Sequence, residues 1–137
     1  MYMLDTNICI YIIKRRPAEI IEKFKTFNIS DLCISSITAS ELHYGVNKSQ
    51  RMEQNRDALA MFLSPLEILP FDDAAAYEYG IIHAELEKNG NIIGSMDLLI
   101  AAHAKAMNAT IITNNEREFS RVSGIKVENW TKSHSQT

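Results

Sequence analysis

The sequence has little that would break or staple a chain. Its 137 residues include five glycines, three prolines and two cysteines. Cys9 and Cys33 stand in apolar surroundings. Two thiols make no disulfide framework, and a zinc site needs more ligands at tighter spacing, so both read as buried thiols of a reducing compartment. With Gly and Pro so scattered, no linker, repeat or low-complexity segment stands out. The chain reads as one domain over residues 1–137, with a polar, disordered tail at 131–137. No apolar stretch reaches the roughly 18 residues of a membrane helix. No secretory leader is expected from the N-terminal residues: Asp5 interrupts the first apolar run, and the basic Lys14-Arg15-Arg16 follows it where a leader would place it ahead. The expected location is cytoplasmic. Positive charge is short as well, with fourteen Lys plus Arg against seventeen Asp plus Glu, net −3. That argues against a protein that simply coats DNA. The GxGxxG and GxxxxGK[ST] patterns, a His-Glu-x-x-His pair and a G-x-S-x-G elbow are all absent. His43, His83, His103 and His134 are far apart and take no metal role; His103 is expected at the core edge or on a helix surface.

The sequence does hold an ordinary globular mix, 46% apolar and 23% charged, patterned as short apolar runs between helical periods. Tyr2-Met3-Leu4 reads as a buried strand, ending at Asp5-Thr6-Asn7, a good helix start. A helix follows up to the basic cluster, and Pro17 opens a second with Ile20, Ile21, Phe24 and Phe27 on one face. Leu32–Ser35 is a strand. Ile37–Val46 and Met52–Leu63 read as helices, Leu66–Leu69 as a strand, and Asp72–Lys88 as a long helix stopped by Asn89-Gly90. Met96–Met107 is a helix, Ala109–Thr113 a strand buried on both faces, and Ile125–Val127 a last strand after a short helix around Arg117 and Phe119. Strands alternating with helices predict an α/β domain with a mainly parallel sheet.

Ligands in such folds bind where strands end and helices begin. Acids recur at those junctions: Asp5 after the first strand, Glu41 after the second, Asp97 at the mouth of the late helix, and Glu116 and Glu118 after Thr113-Asn114-Asn115. Converging carboxylates raise one another's pKa and oppose folding until a cation joins them. Oxygen ligands without His or Cys select Mg²⁺ or Mn²⁺, the chemistry of phosphodiester cleavage. Each acid also has a plainer role. Asp5 suits a helix cap, Glu41 suits a capping box with Thr38, and Asp97 suits the helix dipole behind a Ser95 cap. Lys14, Arg15, Arg16, Lys48 and Arg51 are either a solvated face or contacts to substrate phosphates.

Four motifs in order carry a resemblance: Met3-Leu4-Asp5-Thr6-Asn7; Ile34-Ser35-Ser36-Ile37 with Ser40-Glu41-Leu42-His43-Tyr44-Gly45; Asp97-Leu98-Leu99-Ile100-Ala101-Ala102-His103-Ala104; and Thr113-Asn114-Asn115 with Glu118-Phe119. From Met3 to Trp130 the chain resembles the PIN-domain family and, more narrowly, the VapC toxins of VapBC toxin–antitoxin modules. The resemblance implies a three-layer α/β/α sandwich around a parallel sheet. It implies an Mg²⁺- or Mn²⁺-dependent endoribonuclease that cuts structured RNA, notably tRNA, arrests translation, and leaves 5′-phosphate and 3′-hydroxyl ends. It implies neutralisation by a VapB antitoxin, homodimers, and larger complexes that reach promoter DNA through VapB. Asp5, Glu41 and Asp97 match the family's regular acidic positions and would hold the metal. Thr6, Asn7 and Thr113 match supporting polar positions. Many relatives have Asp where this chain has Asn115, and Glu118, sharing a helix face with it, is the candidate for that fourth place.

Two rival functions fit some of the same residues. A phospho-acceptor domain also gathers Asp and Mg²⁺ at strand ends, but it needs a Lys at the end of a late strand, where this chain has Thr113-Asn114-Asn115. A non-enzymatic partner-binding module would use the acids as caps and the apolar helices around Ile8–Ile13 and Phe24–Phe27 as its working surface.

Overall fold

A computed structural model describes residues 1–132. The expected disordered tail lies, from residue 133 onward, outside the described residues. The strands are β1 (Tyr2–Leu4), β2 (Leu32–Ser35), β3 (Glu67–Leu69), β4 (Thr110–Ile112) and β5 (Lys126–Glu128). The helices are α1 (Thr6–Lys14), α2 (Ala18–Lys25), α3 (Ser36–Asn47), α4 (Met52–Leu63), α5 (Asp73–Lys88), α6 (Ser95–Met107) and α7 (Glu116–Phe119). Among the described residues no helix is long and apolar enough to cross a membrane.

The five strands form one parallel sheet in the order β3-β2-β1-β4-β5. Side chains alternate across a strand, so each strand feeds two cores. Met3, Cys33 and Ile111 point to one face, where α5, α6 and α7 pack through Ile82, Leu86, Leu98 and Phe119. Leu4, Leu32, Ile34 and Ile112 point to the other, covered by α1 to α4 through Ile8, Ile20, Leu42 and Leu59, with Trp130 added. Two covered faces make a three-layer α/β/α sandwich and explain why the strands read as continuous apolar runs. Cys9 and Cys33 are free and fully buried, one in each core.

The order of the strands also positions the site. From β1 the chain steps to β2 and β3 on one side, then crosses back to β4 and β5 on the other. At such a reversal the loops leaving two neighbouring strands diverge and open a crevice at their carboxyl ends. Here the neighbours are β1 and β4, and the residues that leave them are Asp5 and Thr113.

Candidate active site

Asp5 is placed twice over. Its backbone N–H donates to the Ile112 carbonyl at 3.0 Å, extending the β1–β4 pairing. Its side chain caps α1, Oδ1 accepting from the Ile8 N–H at 2.9 Å. Burial pushes its carboxyl up to about 6, the Glu41 charge adds to the rise, and hydrogen bonds from Thr113 and from the Ile8 amide pull it back. Thr113 is itself fully buried, its Oγ1 accepting from the Asn115 N–H at 2.9 Å.

Glu41 comes from the middle of α3. The Thr6 hydroxyl, at the first position of α1, donates to Glu41 Oε1 at 2.5 Å and lies 3.4 Å from Thr38 Oγ1. The plainer reading of Glu41, as half of a capping box with Thr38, fails. The cap of α3 is Ser35, whose Oγ accepts from the Ile37 N–H at 3.0 Å, so Thr38 and Glu41 already lie inside the helix. Glu41 is thus free to face α1.

Asp97 is the third residue of α6, whose cap is Gly94 and not the expected Ser95. A side chain started at Gly94 would lie 3.7 Å from both Asp97 Oδ2 and Glu118 Oε2, so the two carboxyls converge on that glycine. They share a hydrogen bond, and burial, that bond, and the charges of Glu118, Asp5 and Glu41 push Asp97 up to about 8. A protonated Asp97 donating to a Glu118 carboxylate fits both directions. Glu118 is held below the usual carboxylate range first by this bond, then by the Gly94 N–H, Arg121 and Asn115. The Gly94 N–H donates to Glu118 Oε2 at 2.9 Å and Asn115 Nδ2 to Oε1 at 2.8 Å. Asn115 therefore serves to orient Glu118.

Asp5, Thr6, Asn7, Glu41, Gly94, Ser95, Met96 and Asp97 line one open cavity of about 400 Å³. No salt bridge ties any of its carboxylates to a Lys or Arg among the described residues. Among those residues, too, no three His, Cys, Asp or Glu stand close enough to make a ready cage for a metal. The donor set fits a hard cation that keeps most of its waters and takes one or two carboxylates from the protein, the habit of Mg²⁺. Such a charge would lower the pKa of both Asp5 and Asp97.

The expected basic contacts stand outside this cavity. Lys14, Arg15 and Arg16 are exposed where α1 ends. Lys14 lines, with Glu41, Ile10, Leu42 and Val46, a neighbouring apolar groove of about 320 Å³. Lys48 lies 4.9 Å over the Tyr44 ring, and Arg51 precedes α4, exposed.

His103 departs from expectation. It is completely buried, as is Ser35, and its Nδ1 lies 2.7 Å from Ser35 Oγ. Its ring meets Phe71 edge-on with centroids 5.5 Å apart, and burial holds its imidazole below the ordinary pKa. This contact joins α6, which carries Asp97, to the cap of α3, which carries Glu41. The sequence does carry a signal for it: Leu98–Ala104 has no polar stripe apart from His103, as expected of a helix enclosed on all sides.

Known proteins are similar to this chain in sequence and fold. The PIN domain family matches residues 2–125. The ribonuclease VapC2 of Rickettsia felis is 48% identical over 138 residues, covering 96% of this chain and 99% of that protein. The tRNA(fMet)-specific endonuclease VapC of Shigella flexneri is 46% identical, covering 95% and 98%. The solved DNA-bound VapBC of Salmonella typhimurium superposes with a TM-score of 0.89 at 46% identity, covering 94% of this chain and 97% of its own. A three-layer parallel sandwich, acids gathered at its β1–β4 crevice and near-full-length likeness lead to one conclusion: the chain belongs to the PIN-domain family and, within it, to the VapC ribonucleases.

Proposed function

We propose that the chain is the toxin of a toxin–antitoxin pair, an endoribonuclease that depends on Mg²⁺ or Mn²⁺ and cuts structured RNA of the tRNA class, thereby inhibiting translation. The observation that carries the reading is the convergence of Asp5, Glu41 and Asp97 on one cavity, with two of the three carboxyls raised by burial and by one another's charge. The name of the Shigella flexneri relative supports a tRNA substrate. The solved VapBC complexes support a VapB-type antitoxin as partner. Assembly as a homodimer, and promoter binding only through the antitoxin, belong to the same reading.

In this scheme Asp5 and Asp97 would hold the cation as anionic ligands, and Glu118, oriented by Asn115 and Gly94, would support Asp97. When bound, the cation neutralises charge on the phosphoryl group and on the leaving oxygen. Glu41, held by Thr6, orients the attacking water and accepts its proton. Thr113 keeps the Asp5 carboxylate aimed at the cavity, and Asn7 lines its mouth. Water as nucleophile gives 5′-phosphate and 3′-hydroxyl ends.

The test is cleavage of total tRNA with Mg²⁺, with EDTA, and by Asp97→Asn. Discrete fragments with 5′-phosphates in the first lane alone are expected. Fragments ending in 2′,3′-cyclic phosphate, or an Asp97→Asn variant that cuts at the normal rate, would overturn the scheme.

A further inference from the structure

We propose that the end of α1, together with the loop after β4, forms a subsite for a single RNA strand beside the acid cavity: the Tyr11 ring stacks a base, and Lys14 and Arg16 hold the phosphates on either side. The subsite deepens the nuclease reading by naming the form of its substrate.

The placement begins with helical spacing. Asn7, Tyr11 and Lys14 follow one another at i, i+4 and i+7, along one face of α1. Asn7 lines the acid cavity. Seven residues of helix rise about 10 Å, so the stripe leads from the cavity to the basic cluster over two turns. Tyr11, Lys14 and Arg16, with Ile10 and Pro17, line a separate cavity of about 330 Å³.

The ring is held in orientation. Asn114 Nδ2 donates to the Tyr11 hydroxyl at 2.9 Å. Asn114 directly follows Thr113, the residue that steadies Asp5, so platform and acid site hang on one loop. Arg16 is also brought back by the backbone. α1 ends at Arg15 in the left-handed conformation, φ 59°, and the next N–H, that of Arg16, donates to the Tyr11 carbonyl at 3.1 Å. This closed turn sets the Arg16 backbone against Tyr11.

Charge selects the occupant. Lys14, Arg15 and Arg16 are exposed and make no salt bridge with a carboxylate among the described residues. The adjoining cavity is lined by Asp5, Glu41 and Asp97 with no Lys or Arg among its lining residues, so it offers phosphate no cation of the protein's own. A polyanion is therefore drawn to the flank and meets the acids from there. An oriented aromatic ring between two cations is how proteins grip unpaired bases without reading their sequence. A paired strand offers no base face to the ring.

The experiment uses the full chain carrying Asp97→Asn, so that bound RNA survives. Binding of a labelled single-stranded RNA of about eight nucleotides is measured by anisotropy between about 50 and about 200 mM salt, with melting temperatures alongside. Tyr11→Leu is expected to weaken binding about tenfold with its salt slope intact, whereas Tyr11→Phe stays within about twofold. Lys14→Gln and Arg16→Gln are each expected to reduce the salt slope by about 0.7. A duplex of equal length is expected to bind weakly and to ignore Tyr11. A folded Tyr11→Leu that binds as tightly as its parent overturns the subsite. So does a Tyr11→Phe as weak as Tyr11→Leu, which would reduce the contact to its hydroxyl. An acidic peptide that displaces the RNA and shows the same Tyr11 dependence assigns the surface to a protein partner and overturns it too. Tyr11-dependent binding by a wild-type protein that cuts nothing would uphold the subsite and sink the nuclease reading alone.

Discussion

Asp5 and Asp97 face the same cavity from helix N-termini, yet they are held in opposite ways. Asp5 sits where a central strand becomes a helix, 3% exposed, with its backbone in the sheet and its side chain in a cap. Asp97 sits behind a loop, held by another carboxyl that is itself held by Gly94 and Asn115. The first arrangement is rigid and formed before any ligand arrives. The second is a proton-sharing pair, and a cation can take the proton's place. A cation arriving here would meet one fixed carboxylate and one that must first give up its shared proton.

The largest expected effect treats the two alike. Asp5→Asn and Asp97→Asn should each lower the cleavage rate on the order of a thousandfold, since in the proposed scheme several kcal/mol of charge stabilisation would pass through either carboxylate. Folding should survive, because Asn also caps helices. Asp5→Ala separates the two positions. It should additionally lose about 1 kcal/mol of stability with its cap, a fall of about 3 °C in Tm. Asp97→Ala should show no such loss, and an equal fall in both would erase the contrast between the two aspartates.

Melting against pH sharpens the comparison. Both aspartates have raised pKa values, so the folded state holds their protons more tightly than the unfolded chain does. Their contribution is fully present below about 4 and is lost as pH rises through about 6 for Asp5 and about 8 for Asp97. Glu118, shifted down, acts with the opposite sign at the acid end, its contribution being lost as pH falls. In EDTA, Tm should therefore decline from pH 5 to pH 8.5, by an amount on the order of 5 °C. Mg²⁺ should restore more of it at pH 8 than at pH 5. Asp97→Asn should flatten the upper part of the decline and leave the lower part, which belongs to Asp5. A profile without that separation would mean that the two carboxyls titrate as one.

Smaller effects follow further from the acid cavity. His103→Phe fills the same space without the bond to Ser35. It should cost about 1 kcal/mol, or about fivefold in kcat if that energy holds α3 and α6 in register. A drop in Tm with kcat unchanged would make the contact purely structural. The smallest change is expected of Glu118→Gln. Losing the partner charge should move the pH midpoint of the Mg²⁺-dependent rate toward acid, with the rate at pH 8 within a few-fold of normal. An unmoved midpoint would deny Glu118 its hold on Asp97.

Much of this contrast is legible in the amino-acid sequence. Apolar runs such as Ile111-Ile112 lack polar alternation because both faces of the sheet are covered, and that alone tells a parallel sheet from an antiparallel one. The first strand's end then points to Asp5, the start of the late helix to Asp97, and the four ordered motifs to the family. What stays hidden depends on neighbours distant in sequence. Glu41 resembles a capping partner of Thr38 because Ser35, the actual cap, lies two residues ahead of the expected start at Ile37. His103 reads as peripheral because a lone imidazole in an apolar run does not reveal that Ser35, 68 positions away, comes to meet it. Ser95 reads as a cap because it is the residue type that caps, yet Gly94 holds that place and its amide serves Glu118. Short-range patterns announce elements, but hydrogen bonds between elements decide which polar residue does what.

The sheet order has a last consequence, for the moment of synthesis. β1 is made first, but one of its two neighbours is β4, more than a hundred residues later. Until that strand emerges, Asp5 lacks the Ile112 carbonyl and the Thr113 side chain that hold it, and Asp97 lacks Glu118. A nascent chain still growing through α5 carries an incomplete site. On the ribosome the fixed carboxylate and the acid pair are thus completed only after β4 and α7 are made, so the site closes as one late event.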